Sequence, residues 1–217
     1  GNINHFLPSS AGQATVVSTH TPTNMFGLAN TLAAPPSGNI SYSNSNKTIA
    51  TNTSANSRAE STVPIVGKMK MEVTVNSGST VIVGIRSITK GTSIEVYYYG
   101  SNGSVGGAGG SAGATFGASD VITMLVDDTN GTIEFKKNDT SQGGTRSITA
   151  SGYTAGEGDM VFEYGDGTTA QAVNVTIAVE SSEWDYSDDA TFLENSTNNL
   201  TAATENDIDK HLNIQTW

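Results

Sequence analysis

GASDVITMLVDDTNGTIEFKKN, residues 117–138, is two runs of alternating side chains on either side of an Asn-Gly step. Val121, Thr123 and Leu125 alternate with Ile122, Met124 and Val126, and Ile133 and Phe135 alternate with Thr132, Glu134 and Lys136. A period of two puts successive side chains on opposite faces of a strand. Asn130-Gly131 supplies residues that tolerate positive φ, as a two-residue hairpin loop requires. The stretch predicts a β-hairpin closed by a tight Asn130-Gly131 turn.

The same period recurs on both sides of this hairpin. Upstream, Lys68, Lys70, Glu72 and Thr74 interleave with Met69, Met71, Val73 and Val75, so one face of that strand belongs to a core. Val81, Val83 and Ile85 follow, then Ile94, Val96 and Tyr98 alternating with Glu95, Tyr97 and Tyr99. Downstream come Met160–Tyr164, and Val173, Val175, Ile177 and Val179 alternating with Asn174, Thr176 and Ala178. Pro64 interrupts Ser61–Val66 and cannot donate to a ladder, which assigns that piece to an edge or a strand start. Residues 39–42 and 47–50 read as short strands facing each other across a turn at 43–46, and Ala14–Val17 as a further strand-like piece before the Thr21–Asn24 turn. Gly100–Gly117, made largely of Gly, Ser and Ala, cannot fill a core and reads as a long loop with at most one short strand. Thr204 followed by Asp207, with Ile208 and Leu212 one turn apart, predicts a short helix over 204–213. Many short strands with almost no helix define an all-β protein, a two-sheet antiparallel β-sandwich. Its expected organisation is a lead-in with outer strands over 1–57, the sandwich core over 58–180, and an acidic covering arm over 181–217.

Composition narrows the function. The chain has 217 residues, enough for one large β domain, and a formal net charge of −11, which repels a phosphate backbone and argues against nucleic acid as a partner. Without cysteine it has no disulfide, thiolate metal site or cysteine nucleophile. No apolar run approaches the roughly 20 residues that span a bilayer, so membrane insertion by a helix is not expected. Asn-x-Ser/Thr triplets at 39–41 and 174–176 follow from the abundance of these residue types.

The order of these segments resembles that of SPRY-like domains. Gly67-Lys68 opens a strand that runs to Glu72-Val73-Thr74-Val75; Val83-Gly84-Ile85, Tyr98 to Gly103, and the 117–138 hairpin follow in the order of that family. The resemblance covers residues 58–180 and implies a SPRY-like, concanavalin-like jelly roll. Met69 stands where an aromatic usually follows the Gly-Lys pair, and the family's closing Asn-Phe-Gly motif is not visible after Val179. Asn4-His5-Phe6, Thr21-Pro22-Thr23-Asn24, Ser37–Ile40 and Gly110–Ala118 are further similar to a group of bacteriophage structural proteins carrying such a sandwich. That likeness implies a virion protein of a tail fibre, appendage or capsid surface. It would sit on the particle surface as a homo-oligomer, contact other virion proteins, and take part in recognising a host receptor or surface glycan. No enzymatic activity and no cofactor are expected.

Several residues are candidates for chemistry. Tyr97 and Tyr99 should share one face of a strand, with Tyr98 on the other, and rigid aromatics beside a Gly/Ser/Asn loop containing Asn102 suit recognition of sugars or proteins. Trp184 and Tyr186 form a second such patch or pin the arm to the sandwich. These five are the candidate ligand-binding residues, and a glycan-binding host-attachment lectin is the alternative function. Glu183, Asp185 and Asp188 approach the paired-carboxylate pattern of concanavalin-like glycoside hydrolases, the third reading, but the last acid is one methylene short. Gly109–Gly113 spells G-x-S-x-G without the strand and helix that a nucleophile elbow needs, and His5, His20 and His211 offer little to a triad. Asp127, Asp128 and Asn130 beside Gly131 read as turn-capping groups, since the spacing and distal Glu of a calcium loop are missing.

Overall fold

The computed structural model describes residues 26–31, 40–52, 57–108, 113–167, 171–187 and 189–200. The expected strand at Ala14–Val17, the Thr21–Asn24 turn, the helix at 204–213 and all three histidines lie outside these residues. Fourteen strands follow in chain order: β1 Ile40–Ser43, β2 Thr48–Thr51, β3 Arg58–Glu60, β4 Lys68–Ser77, β5 Val81–Ser87, β6 Gly91–Tyr99, β7 Val105–Gly106, β8 Val121–Asp127, β9 Thr132–Lys137, β10 Thr140–Ser141, β11 Arg146–Ser147, β12 Met160–Asp166, β13 Asn174–Ala178 and β14 Leu193–Glu194. They form two sheets. The larger runs β1-β2-β13-β4-β8-β9-β10, with β11 also on β9 and β14 on β4; the smaller runs β3-β12-β5-β6-β7.

The chain is a two-sheet β-sandwich whose dry interior is made by alternate residues of both sheets. Met69, Met71, Val73 and Val75 of β4 and Ile122, Met124 and Val126 of β8 face Val83, Ile85, Val96, Tyr98, Phe162 and Tyr164 of the smaller sheet. Met71, Phe135 and Val175 are fully buried and Leu125 is 4% exposed, so the alternation does mark inward and covered positions. Tyr98 sits at the centre, its ring 4.6 Å from Phe116 and 5.6 Å from Phe135 in tilted pairs that add to burial alone. Its hydroxyl donates to the Ala114 carbonyl, which satisfies the one polar atom such a ring brings inside. Burial pushes its pKa up to about 12, with Asp120 adding to the rise.

The signature hairpin closes differently from its sequence reading. The last rung pairs Asp127 with Thr132, leaving a four-residue loop, Asp128 to Gly131, in place of the expected two-residue turn. Only Gly131 in this loop has positive φ, at 61°. Gly131 N donates to Asp128 O, and the Asp127 carboxylate accepts from both the backbone and the side-chain amide of Asn130, so Asn130 is held by its cap and has no need of a left-handed backbone. Asp128 accepts from the Tyr153 hydroxyl. Among the described residues no group of three or more His, Cys, Asp or Glu could hold a metal ion.

A second difference concerns β4, expected to bury one face only. Lys70 and Glu72, on its outward face, are each 1% exposed because residues 184–187 and 189–194 lie across them. β14 continues this segment as a parallel rung beside the start of β4, pairing Leu193 with Met69. The segment then ties back to residues 26–31: Gly27 N donates to Asn195 O at 2.7 Å, and Phe26 bridges Ser196. A Cβ at Gly27 would meet the Asn195 side chain, so this closure requires glycine.

Candidate functional site

The register of the smaller sheet lays its outward side chains in three rows, because facing residues on neighbouring strands share a row at a strand spacing of about 4.8 Å. The first row is Arg58, Gly165, Ile82 and Tyr99; the second is Glu60, Glu163, Gly84, Tyr97 and Gly106; the third is Val161, Arg86 and Glu95. Glycine at 84 leaves the middle of this face without a side chain. Across that gap Arg58 bonds Glu163 at 2.8 Å and also Glu95, three strands away on β6, so its guanidinium is seated between β12 and β6 over Gly84. A Cβ at Gly84 would stand 2.8 Å from Tyr97 Cα, tighter than packing allows.

Arg86 completes the charge network. It pairs with Glu60 and lies 3.7 Å from Glu163. Two guanidiniums thus face three carboxylates. Glu163 is at their centre and fully buried; one oxygen accepts from Arg58, and the other has no hydrogen-bond partner. Burial pushes its pKa up to about 7, against the pull of Arg58, with Glu95 reinforcing the rise.

Beside this network the two outward tyrosines frame a cleft. The Tyr97 ring lies over Gly106, where a Cβ would collide with the ring, and the Tyr99 ring lies over Gly167, where a Cβ would come within 2.5 Å. Each ring therefore rests on a glycine, and the two splay toward opposite edges of the sheet. Between them Arg58, Ile82, Tyr97, Tyr99 and Gly167 line about 250 Å³ of space, open solvent included. The Arg58 guanidinium is 6.0 Å from the Tyr97 ring centre, within cation–π range. Strands carry every one of these residues except Gly167, so the cleft is held on rigid elements.

The structure does not bring all five sequence candidates together. Tyr97 and Tyr99 share the cleft. Asn102 is exposed in the following turn, where its side chain accepts from Ser104 N at 2.9 Å and so shapes the loop. Trp184 and Tyr186 lie on the outer face of the other sheet, where they pin the arm. Lys70 Nζ is 4.5 Å from the Trp184 ring centre and donates to the Tyr186 carbonyl, while Trp184 Nε1 donates to Ala178 O at 3.3 Å. Glu183 and Asp185 are on that same arm, off any strand; Glu183 is 2.5 Å from Lys47 and the Asp185 backbone N donates to Glu72. Asp188 lies outside the described residues.

Sequence reasoning missed Arg58, Ile82, Glu95, Glu163 and the glycines at 84 and 167. A signal was present. Charged residues and a glycine at outward strand positions, among β-branched neighbours, mark a face on which something other than ordinary solvation is arranged.

No family model matches the chain, and no curated protein matches it. Solved structures do. The SPRY domain of human HERC1 superposes with a TM-score of 0.51 at 14% identity, covering 64% of this chain and 91% of that one. Stonustoxin gives a TM-score of 0.51 at 13% identity, covering 71% of this chain but only 27% of the toxin. The PSpry domain of TRIM65 gives 0.48 at 13% identity, over 71% of this chain and 90% of that one. Together with the two antiparallel sheets, the HERC1 superposition defines the chain as a β-sandwich of SPRY-like fold.

Proposed function

We propose that this chain is a non-enzymatic recognition module of a bacteriophage particle, working through contacts made by the outer face of its smaller sheet. The observation that carries the reading is the Tyr97–Tyr99 cleft. Two half-exposed aromatic rings stand on strands, backed by a buried ion network that holds Arg58 in one place. A preorganised aromatic cleft suits binding, because little side-chain entropy is lost when a partner arrives. The virion setting is supported by the short lead-in motifs that resemble phage structural proteins. Repetition by particle symmetry makes a homo-oligomer with virion neighbours the expected assembly. The second reading, a host-attachment lectin, is favoured by the cleft's combination of ring faces with a guanidinium whose charge is already matched.

The test is localisation and adsorption together. Antibody raised against the chain should decorate the surface of intact particles, and particles carrying Tyr97→Ala should adsorb to host cells at least several-fold more slowly. Absence of the chain from purified particles would overturn the virion reading. Decoration with unchanged adsorption would move the contact surface away from this face.

A further inference from the structure

We infer that the cleft between Tyr97 and Tyr99 is a subsite for one neutral pyranose ring, an assignment that rests on the recognition reading above and names its ligand class. Shape comes first. Because the rings rest on Gly106 and Gly167 and splay apart, the floor between them is the aliphatic side chain of Ile82, with the Arg58 guanidinium along one side. The space between the rings, about 250 Å³ with open solvent included, is a shallow cleft open to solvent on one side. Two rings on alternate positions of one strand offer a platform on which a single six-membered ring can lie.

Charge then selects among ligands of that size. An anion would be drawn to Arg58, but Arg58 is already bonded to Glu95 and Glu163, and the chain as a whole carries −11. A cation would need a carboxylate in the wall, and the described residues that line the cleft include none. The surrounding network of Arg58, Arg86, Glu60, Glu95 and Glu163 is closely balanced, the more so because burial favours the neutral form of Glu163. Neither sign of charge is rewarded.

A neutral pyranose fits what remains. Its C–H face carries partial positive charge that suits the electron-rich faces of Tyr97 and Tyr99, and its hydroxyls suit the polar groups at the rim. Tyr97 lines the cleft and is only partly buried, which places its hydroxyl where it can bond a sugar hydroxyl. One ring contacting two tyrosines gives weak binding per site. Repetition on an oligomer would raise it through avidity without any new contact.

The test is saturation-transfer NMR on the full chain with methyl glucoside, methyl mannoside, methyl galactoside and N-acetylglucosamine at millimolar concentration. N-acetylneuraminic acid and acetyl-lysine amide serve as charged probes. At least one neutral sugar should receive saturation. That transfer should fall at least fivefold in Tyr97→Ala and in Tyr99→Ala, fall less in Tyr97→Phe, and persist in Ile88→Ala, which alters an exposed side chain 53% accessible outside the cleft lining. A thermal midpoint near that of the wild type would show that the variants remain folded. No transfer to any neutral sugar, equal transfer in the alanine variants, or stronger transfer to a charged probe would each overturn the assignment. If sugars fail while Tyr97→Ala still slows adsorption, the recognition reading survives and the pyranose subsite alone is lost.

Discussion

On the outer face of the nine-stranded sheet Lys70 is sealed beneath the segment that carries Trp184, Tyr186 and Asp189, whereas on the outer face of the five-stranded sheet Arg58 is seated over a glycine with two tyrosine rings beside it. Both faces bury charge. In the first, Glu72 of the same strand lies 2.9 Å from the lysine, and the arm supplies the rest of what the lysine lost to water: the Tyr186 carbonyl, the Trp184 ring and, at 3.9 Å, Asp189. Glu72 in turn accepts from the backbone amides of Asp185 and Tyr186, and Lys136 bonds Asp189 at 2.8 Å. Polar groups from two distant segments therefore satisfy each other, and the pairing locks the arm in place. The second face solves the same problem inside its own sheet, with side chains from β3, β5, β6 and β12. It leaves the aromatic rim half-exposed. The contrast teaches that an outward face becomes structural or available to a ligand according to which segment lies over it, and not according to its own composition.

The strongest way to break the contrast is Lys70→Ala. It leaves Glu72 buried without its cation, and orphaning one member of a buried pair typically costs about 3–5 kcal/mol. Denaturant unfolding should show a loss near that size, together with faster hydrogen exchange over residues 181–194. A loss below about 1 kcal/mol would mean that the arm does not depend on this pair.

Next in size is Gly84→Ala, which adds a methyl where β6 backbone and the Arg58 seat leave no room; overpacking of this kind costs roughly 1–3 kcal/mol. Thermal unfolding reads it. Equal stability in the alanine variant would show that the seat is looser than its geometry. A matched substitution on the arm side, exposed Leu193→Ala, should cost far less, since Leu193 is 49% exposed.

The pH dependence sharpens the comparison further, because only the smaller sheet holds a carboxyl raised toward neutrality. Glu163 rises from 4.5 in the unfolded chain to about 7 when folded, so the folded state binds the extra proton between these values. Stability from this group is therefore full below about pH 4.5 and is lost as pH climbs through 7, on the order of 1–3 kcal/mol in total. Glu163→Gln should flatten that slope between pH 5 and 8 as measured by unfolding at a series of pH values. An unchanged slope would assign the titration to another group.

The smallest expected effect on stability is Tyr97→Ala, under about 1 kcal/mol, because the ring rests on Gly106 at the edge of the sheet and is half-exposed. Its loss should instead be read in binding. A destabilisation above about 2 kcal/mol would make Tyr97 a packing residue like Tyr98.

Much of the sandwich was legible because the pattern that encodes it is local. The runs at 68–75, 81–85, 94–99 and 173–179 each carry their own alternation and became strands with the expected face inward, whereas in 121–126 both sets are apolar and only the structure selects Ile122, Met124 and Val126 as the core face. The division of Tyr97 and Tyr99 from Tyr98 was readable for the same reason. The hairpin loop was misread by two residues, since Asp127 reaches forward to hold Asn130 and this capping competes with the tighter turn. Trp184 and Tyr186 were recognised as a patch or a pin, but nothing in their neighbours could decide between the two. The answer depends on Lys70, 114 and 116 residues earlier in the chain. Arg58 and Glu163 are 105 residues apart, and neither has a local pattern pointing to the other.

By itself the sequence determined the strand pattern, the two-sheet class and, where only one set of side chains is apolar, which side of a strand meets the interior, because alternation at a period of two is a property of neighbouring residues and needs no partner to be read. Only the tertiary structure decided that Lys70 is roofed by the arm, that Arg58 crosses Gly84 to reach Glu95, and that Tyr97 and Tyr99 splay over glycines to open a cleft. Those outcomes depend on register between strands and on segments that meet across a hundred residues of chain, which periodicity along the chain does not encode.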